Sequence, residues 1–155
     1  MKNALKTIVA VAALVPAQAF AATGNIPFNG SVTDTCMITV GNPGTIMPNA
    51  GYTALSSKES GGVAGTAQIL TTGNAYAVTA EAPSSWTSAP TSAAAATFAA
   101  EYDLSGANTA SNVAGGTGTT LAHGTTDVSV DLTATLPSGT YESGTYAATV
   151  VLRCE

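Results

Sequence analysis

A strict alternation of apolar and polar side chains is the feature that most constrains the fold of this chain. Over residues 126–136, every even position from Val128 to Leu136 is apolar, and every odd position is Asp, Ser or Thr. This two-residue period places one row against a core and the other in solvent, which predicts a half-buried β-strand. The end of the chain repeats the pattern, with an inward row of Tyr146, Ala148, Val150, Leu152 and Cys154.

Shorter strand patterns cover much of the remaining sequence. They lie at residues 26–32, 36–40, 67–70, 75–80 and 97–104. Clusters of Gly, Pro, Asn and Ser separate them, and the Gly-rich segment 106–118 is predicted to be a loop. Residues 92–100 contain four consecutive alanines but no amphipathic stripe, so we expect one helical turn at most. Many short strands with turn signals between them predict an all-β sandwich or barrel.

The first 21 residues have the features of a secretory signal peptide. Lys2 and Lys6 precede the apolar run 7–15, and Ala19-Phe20-Ala21 forms a small-x-small cleavage site. The apolar run is far shorter than the roughly 20 residues that a membrane-spanning helix needs. We therefore predict cleavage after residue 21, export without membrane insertion, and a single mature domain over residues 22–155.

The charge balance argues against two classes of partner. Once Lys2 and Lys6 are removed, Lys58 and Arg153 remain against nine acidic residues, a net charge of −7. Binding to nucleic acid or to an anionic membrane surface needs clustered cations, so we expect neither.

The two cysteines share the parity of apolar neighbours. Cys36 aligns with Ile38 and Val40, and Cys154 aligns with Leu152, so both thiols are expected to point inward. An exported domain favours a disulfide, and one between Cys36 and Cys154 would contribute on the order of 4–5 kcal/mol in the chain-entropy model. Two buried free thiols, or a bond between subunits, are the alternatives.

Residues for catalysis or metal binding are sparse. His123 is the single histidine and lies in a Gly- and Thr-rich context, and no serine occupies a Gly-x-Ser-x-Gly elbow. The acidic pairs 127/131 and 101/103 are expected to be solvated, because calcium needs more converging oxygens. We therefore assign no catalytic, cofactor or metal site, and a secreted hydrolase is the least favoured hypothesis. Trp86 is expected at the rim of the core.

The beginning of the mature chain resembles the chaperone–usher pilins. The resemblance rests on Ile26-Pro27-Phe28-Asn29-Gly30-Ser31-Val32, followed by Cys36-Met37-Ile38-Thr39-Val40. At the other end, Gly144 precedes the amphipathic terminal strand. The resemblance implies an immunoglobulin-like sandwich that lacks its final strand. In that family a periplasmic chaperone and then the N-terminal extension of the next subunit fill the gap, and an outer-membrane usher assembles the fibre. The short extension and small polar loops are also similar to archaic pilins and spore coat U domains.

This resemblance assigns roles to two rows of residues. Ile26, Phe28, Gly30 and Val32 form either the donor strand or the subunit's own first strand. The row Tyr146, Ala148, Val150 and Leu152 would border the open groove. The resulting hypothesis is a structural subunit of a bacterial surface fibre, with an adhesive role among its functions. The alternative is a self-complemented monomer, secreted or periplasmic, with a coat or adhesion role.

Overall fold

The computed structural model describes residues 21–155, so the predicted signal peptide lies outside the described residues except for Ala21. Residues 21–31 belong to one compact unit and residues 32–155 form the other. Residues 21–31 contain no regular secondary structure and are exposed throughout. No helix within 21–155 is long and apolar enough to cross a membrane.

The second unit is built from antiparallel strands and one short 3₁₀ turn, Thr91–Ala93. Its strands are, in chain order, β1 Cys36–Val40, β2 Met47–Pro48, β3 Ala54–Ser56, β4 Gly65–Thr71, β5 Tyr76–Glu81, β6 Thr97–Gly106, β7 Ala110–Ala114, β8 Thr119–Leu121, β9 Gly124–Thr135 and β10 Val151–Cys154.

The larger sheet is organised around β9, the longest strand. One edge of β9 pairs with β6, from Gly106 opposite Thr126 to Thr97 opposite Thr135. The other edge pairs first with β4 and then with β3. Outside these neighbours lie β1 beside β4, β7 beside β6, and β2 beside β3. The smaller sheet has the order β10-β5-β8.

The two sheets share one hydrophobic core. Ile69, Leu104 and Val128 come from the larger sheet, and Val78 and Leu121 come from the smaller one. All are buried, because the inward row of each strand meets the inward row of the facing sheet. The structure is therefore all-β, and its two face-to-face antiparallel sheets are consistent with a β-sandwich.

Several strand predictions are confirmed, including those that became β1, β4, β5, β6 and β9. The single turn expected within 92–100 is the 3₁₀ turn Thr91–Ala93. Two predictions were wrong. Residues 26–32 form no strand within this chain, and the predicted loop 106–118 contains β7, which pairs with β6 through its backbone.

The hydroxyl of Tyr102 connects the two sheets. Tyr102 lies on β6 and is 1% exposed. Its Oη lies 3.1 Å from the carbonyl oxygen of Val78, 2.8 Å from that of Thr117 and 2.7 Å from Oγ1 of Thr119. The hydroxyl donates to a carbonyl and accepts from Thr119, so a buried polar group is satisfied at the centre of the core.

We expect Tyr102→Phe to lower the free energy of unfolding by about 1–3 kcal/mol, because it removes the partner of buried polar atoms. Urea denaturation followed by fluorescence measures the change. The matched control is Tyr52→Phe, at a tyrosine that is 56% exposed, which should change the free energy by less than about 0.5 kcal/mol. Equal effects of the two substitutions would contradict this role of Tyr102.

Candidate functional site: a groove between two open strand edges

Each sheet ends in a strand with one unpaired edge on the same side of the domain. Within the described residues, β1 pairs with β4 alone and β10 pairs with β5 alone. The disulfide between Cys36 on β1 and Cys154 on β10 brings these two edge strands together. An unpaired edge exposes backbone N–H and C=O groups that can bind a further strand.

A cavity of about 490 Å³ opens between these edges. One wall consists of residues 40–46 without Gly41, together with residues 65–67. The opposite wall consists of residues 146–152 without Val151. Val130 and Leu132 of β9, with Ser57, line the cavity from the larger sheet. We call this cavity the groove; its lining contains no charged side chain.

The predicted groove-bordering residues Tyr146, Ala148, Val150 and Leu152 all line the groove. The regular strand is shorter than predicted, since β10 spans only Val151–Cys154. The alternation nevertheless continues through the whole segment: even positions from 146 to 154 are half-buried and odd positions are exposed. Upstream of β10 the backbone is held differently, by a bridge between Ala147 and Ser88. This irregular pairing explains the shortened strand.

Val40 is an inward-row residue of the groove that has little cover. Cys36 and Ile38 precede it on the inward row of β1 and are both half-buried against the core. Val40 continues the same row and lines the groove, yet it is 81% exposed. An inward-facing valine on a sandwich edge is normally covered by the next strand or loop. Its exposure shows that the core is uncovered at this point.

Tyr146, which lines the groove at the end away from the disulfide, packs in a cluster of aromatic side chains. Tyr146 packs edge-to-face against Trp86, with ring centroids 5.4 Å apart, and against Tyr141 at 5.3 Å. The Tyr146 hydroxyl donates to the carbonyl oxygen of Glu142 at 2.7 Å. Burial raises the pKa of Tyr141, with a further contribution from Tyr146, so Tyr141 stays protonated. Trp86 lies half-buried at the rim of a second core cluster, as predicted.

The disulfide Cys36–Cys154 is confirmed, and no cysteine of the described chain is free. Its Cα atoms are 6.4 Å apart, and it joins residues 118 positions apart in the sequence. The predicted export, the even cysteine count and the shared inward parity together had indicated this pairing. The alternatives of free thiols and of a bond between subunits are excluded for this structure.

The second predicted row, Ile26, Phe28, Gly30 and Val32, lies in the exposed segment that precedes β1. Ile26 is 78% exposed, Phe28 is 92% exposed and Val32 is 83% exposed. Residues 22–32 contain no charged side chain. The segment thus presents alternating large apolar side chains to solvent. Exposed apolar side chains in a regular row are typical of interaction sites rather than of a solvated tail.

The two cations of the described chain are both in ion pairs at the surface. Lys58 pairs with Glu101, whose hydrogen bond raises the pKa of the lysine. Arg153 lies 2.9 Å from Glu81, which raises its pKa through a hydrogen bond and charge. His123 is exposed, and its backbone N–H donates to Asn74. Among residues 21–155 no group of acidic, His or Cys side chains could hold a metal ion.

Sequence reasoning missed the wall formed by residues 40–46 and the contribution of β9. This wall contains Pro43 and runs past Gly41, where the alternation of β1 is lost, so periodicity does not identify it. The inward parity of Val40 was the available indication. Comparison with protein-family models, with curated proteins and with solved structures finds no match for this chain.

We expect the double substitution Cys36→Ala and Cys154→Ala to lower the free energy of unfolding by about 3–5 kcal/mol, because the bridge closes a loop of more than a hundred residues. Urea denaturation measures the change, and the unsubstituted protein in reductant is the control that should match it. A loss below about 1 kcal/mol would show that the bridge contributes little to folding.

Proposed function

We propose that this protein is a structural subunit of a bacterial surface fibre, assembled by strand donation between copies of the chain or related subunits. Residues 26–32 of one copy enter the groove of another and pair with its open edges. The fold would then be an immunoglobulin-like sandwich completed by a strand from its neighbour. The uncovered core at Val40, 81% exposed on an inward row, is the observation that carries this proposal.

The chemistry of the segment and of the groove is complementary. Both are uncharged, so neither would bury an unpaired charge on association. The inward row of the segment has large apolar side chains at Ile26, Phe28 and Val32. The fourth position of the row is Gly30. In strand addition, backbone hydrogen bonds supply much of the affinity and alternate side chains set the register.

Pro27 and the exposed edges fit the same assembly. Pro27 lies on the outward row and has no N–H to donate, which suits a strand at an edge or one supplied from outside. A domain with two open edges and an uncovered core is prone to aggregate before assembly. This supports the partners that the resemblance implies: a periplasmic chaperone that covers the groove, and an outer-membrane usher.

The disulfide supports the proposed location. Disulfides form and persist in the periplasm and outside the cell. We propose that the protein is exported through the periplasm and then becomes part of a fibre at the cell surface. A self-complemented monomer with a coat or adhesion role would carry residues 26–32 as a strand of its own sheet, and these residues form no strand here.

We expect the mature chain, residues 22–155, to form a ladder of multimers when it is refolded from urea at high concentration with its disulfide intact. The ladder should appear in unheated detergent electrophoresis and collapse on boiling. Phe28→Asp should leave only monomer, since it would bury an unpaired carboxylate. The matched control is Asn29→Asp, which adds the same charge on the outward row and should leave the ladder intact. A monomer for all three chains would contradict the proposal and support the self-complemented alternative.

We expect Val40→Asp to weaken the binding of a donated strand without destabilising the protein. The assay uses the full mature chain carrying Phe28→Asp, which cannot donate, and measures the Kd of a fluorescent peptide of residues 22–34. Val40→Asp should weaken binding at least about tenfold, because the strand would cover the carboxylate. Met37→Asp, on the outward row of β1 and 59% exposed, is the control and should change the Kd less than about twofold. Equal binding by both variants would place the peptide elsewhere.

A further inference from the structure

The disulfide sets the separation of the two edges at one end of the groove. At the disulfide the Cα atoms of Cys36 and Cys154 are 6.4 Å apart. Neighbouring strands in a sheet lie about 4.8 Å apart, so a strand that pairs with both edges needs a gap of about 9.6 Å. The gap at the disulfide is therefore too narrow to admit a strand.

The exposure of the inward row of β1 increases with distance from the disulfide. Cys36 and Ile38 are half-buried against the core, whereas Val40, two residues further from the disulfide, is 81% exposed. On the β1 side the lining of the groove begins at Val40 and ends at Ile46. The groove is thus closed at the disulfide and open towards Ile46 and Tyr146.

We propose that the Cys36–Cys154 disulfide is an end stop that fixes how far a donated strand enters the groove. This inference rests on the proposed function. A strand enters from the end at Ile46 and Tyr146, with its amino terminus towards the disulfide, and stops at about the level of Val40. Residues 40–46 and 26–32 each comprise seven residues, at most about 23 Å of extended chain, so the apolar row of the segment matches the open length.

The attachment of the donated segment to its own domain sets this direction. The Thr33 carbonyl accepts a hydrogen bond from Oγ1 of Thr72 at 2.8 Å, and the Thr35 N–H donates to the same oxygen at 2.8 Å. Residues 33–35 are therefore fixed to the end of β4, and the whole domain follows directly after Val32. In the proposed assembly, the domain of the donating subunit lies outside the open end of the groove, next to Val32 of the donated segment. Only the small residues 22–25 then extend towards the disulfide.

The test compares two peptides on two acceptors. One peptide is residues 22–34, and the other carries Ala22→Val and Gly24→Val, which extend the apolar row towards the disulfide. One acceptor is the mature chain with Phe28→Asp, and the other carries Cys36→Ala and Cys154→Ala in addition. With the disulfide present, the extended peptide should bind within twofold of the shorter one. Without it, the extended peptide should bind at least about tenfold more tightly, because the added valines become buried.

The outcomes separate this inference from the proposed function. No binding of the 22–34 peptide to the disulfide-containing acceptor would overturn the proposed function and this inference with it. Binding of that peptide, with an equal gain from the extension on both acceptors or with no gain on either, would overturn the end stop alone.

A crosslinking measurement tests the direction on the disulfide-containing acceptor alone, so it does not depend on the folding of the cysteine variant. A photocrosslinker in place of Ile26 should label residues near Val40 and Val150, and one in place of Val32 should label residues near Ile46 and Tyr146. The reverse pattern, or labelling of residues 36–38 by either probe, would overturn the end stop.

Discussion

The covalent link between two edge strands is the constraint on which the groove depends. The larger sheet reaches β1 through β4, and the smaller sheet reaches β10 through β5. The Cα atoms of the two cysteines are 6.4 Å apart at one end of the groove. From Val40 onwards the groove is open and its lining is uncharged. Without the bridge, only packing would keep the two edges on a common side of the domain, because no hydrogen bonds join β1 to β10.

The scarcity of charge has a consequence for both the groove and the segment that we propose fills it. The two cations of the described chain are engaged with Glu101 and Glu81 on the outer surface. Transferring an unpaired charge into a core is costly, so an uncharged groove and an uncharged strand can associate at low desolvation cost. The same composition leaves apolar surface exposed before association, which is in keeping with the chaperone that we propose covers the edge.

Side-chain parity predicted much of this arrangement from sequence. Parity placed Cys36 and Cys154 inward, and export with an even cysteine count then favoured the disulfide. The resemblance to pilins assigned the row from Tyr146 to Leu152 to one wall of the groove. Parity failed where backbone pairing determines the structure. Residues 110–114 have no alternating pattern, and β7 forms because β6 offers an open edge. The wall after Gly41 could not be predicted, because its position follows from turns rather than from a period.

The need for two edges follows from the energetics of ordering a strand. Fixing the backbone of one residue costs about 1–2 kcal/mol, and burying one large apolar side chain contributes about 1.5–3 kcal/mol. Only Ile26, Phe28 and Val32 of this segment supply large inward side chains, so their burial contributes about 4.5–9 kcal/mol against a cost of about 7–14 kcal/mol for ordering seven residues. In the proposed assembly, backbone hydrogen bonds to the segments on both sides of the groove, residues 40–46 and 146–150, would supply the surplus. Under this proposal, the spacing of those two segments, which the disulfide sets at one end, would determine both whether a strand binds and where it stops.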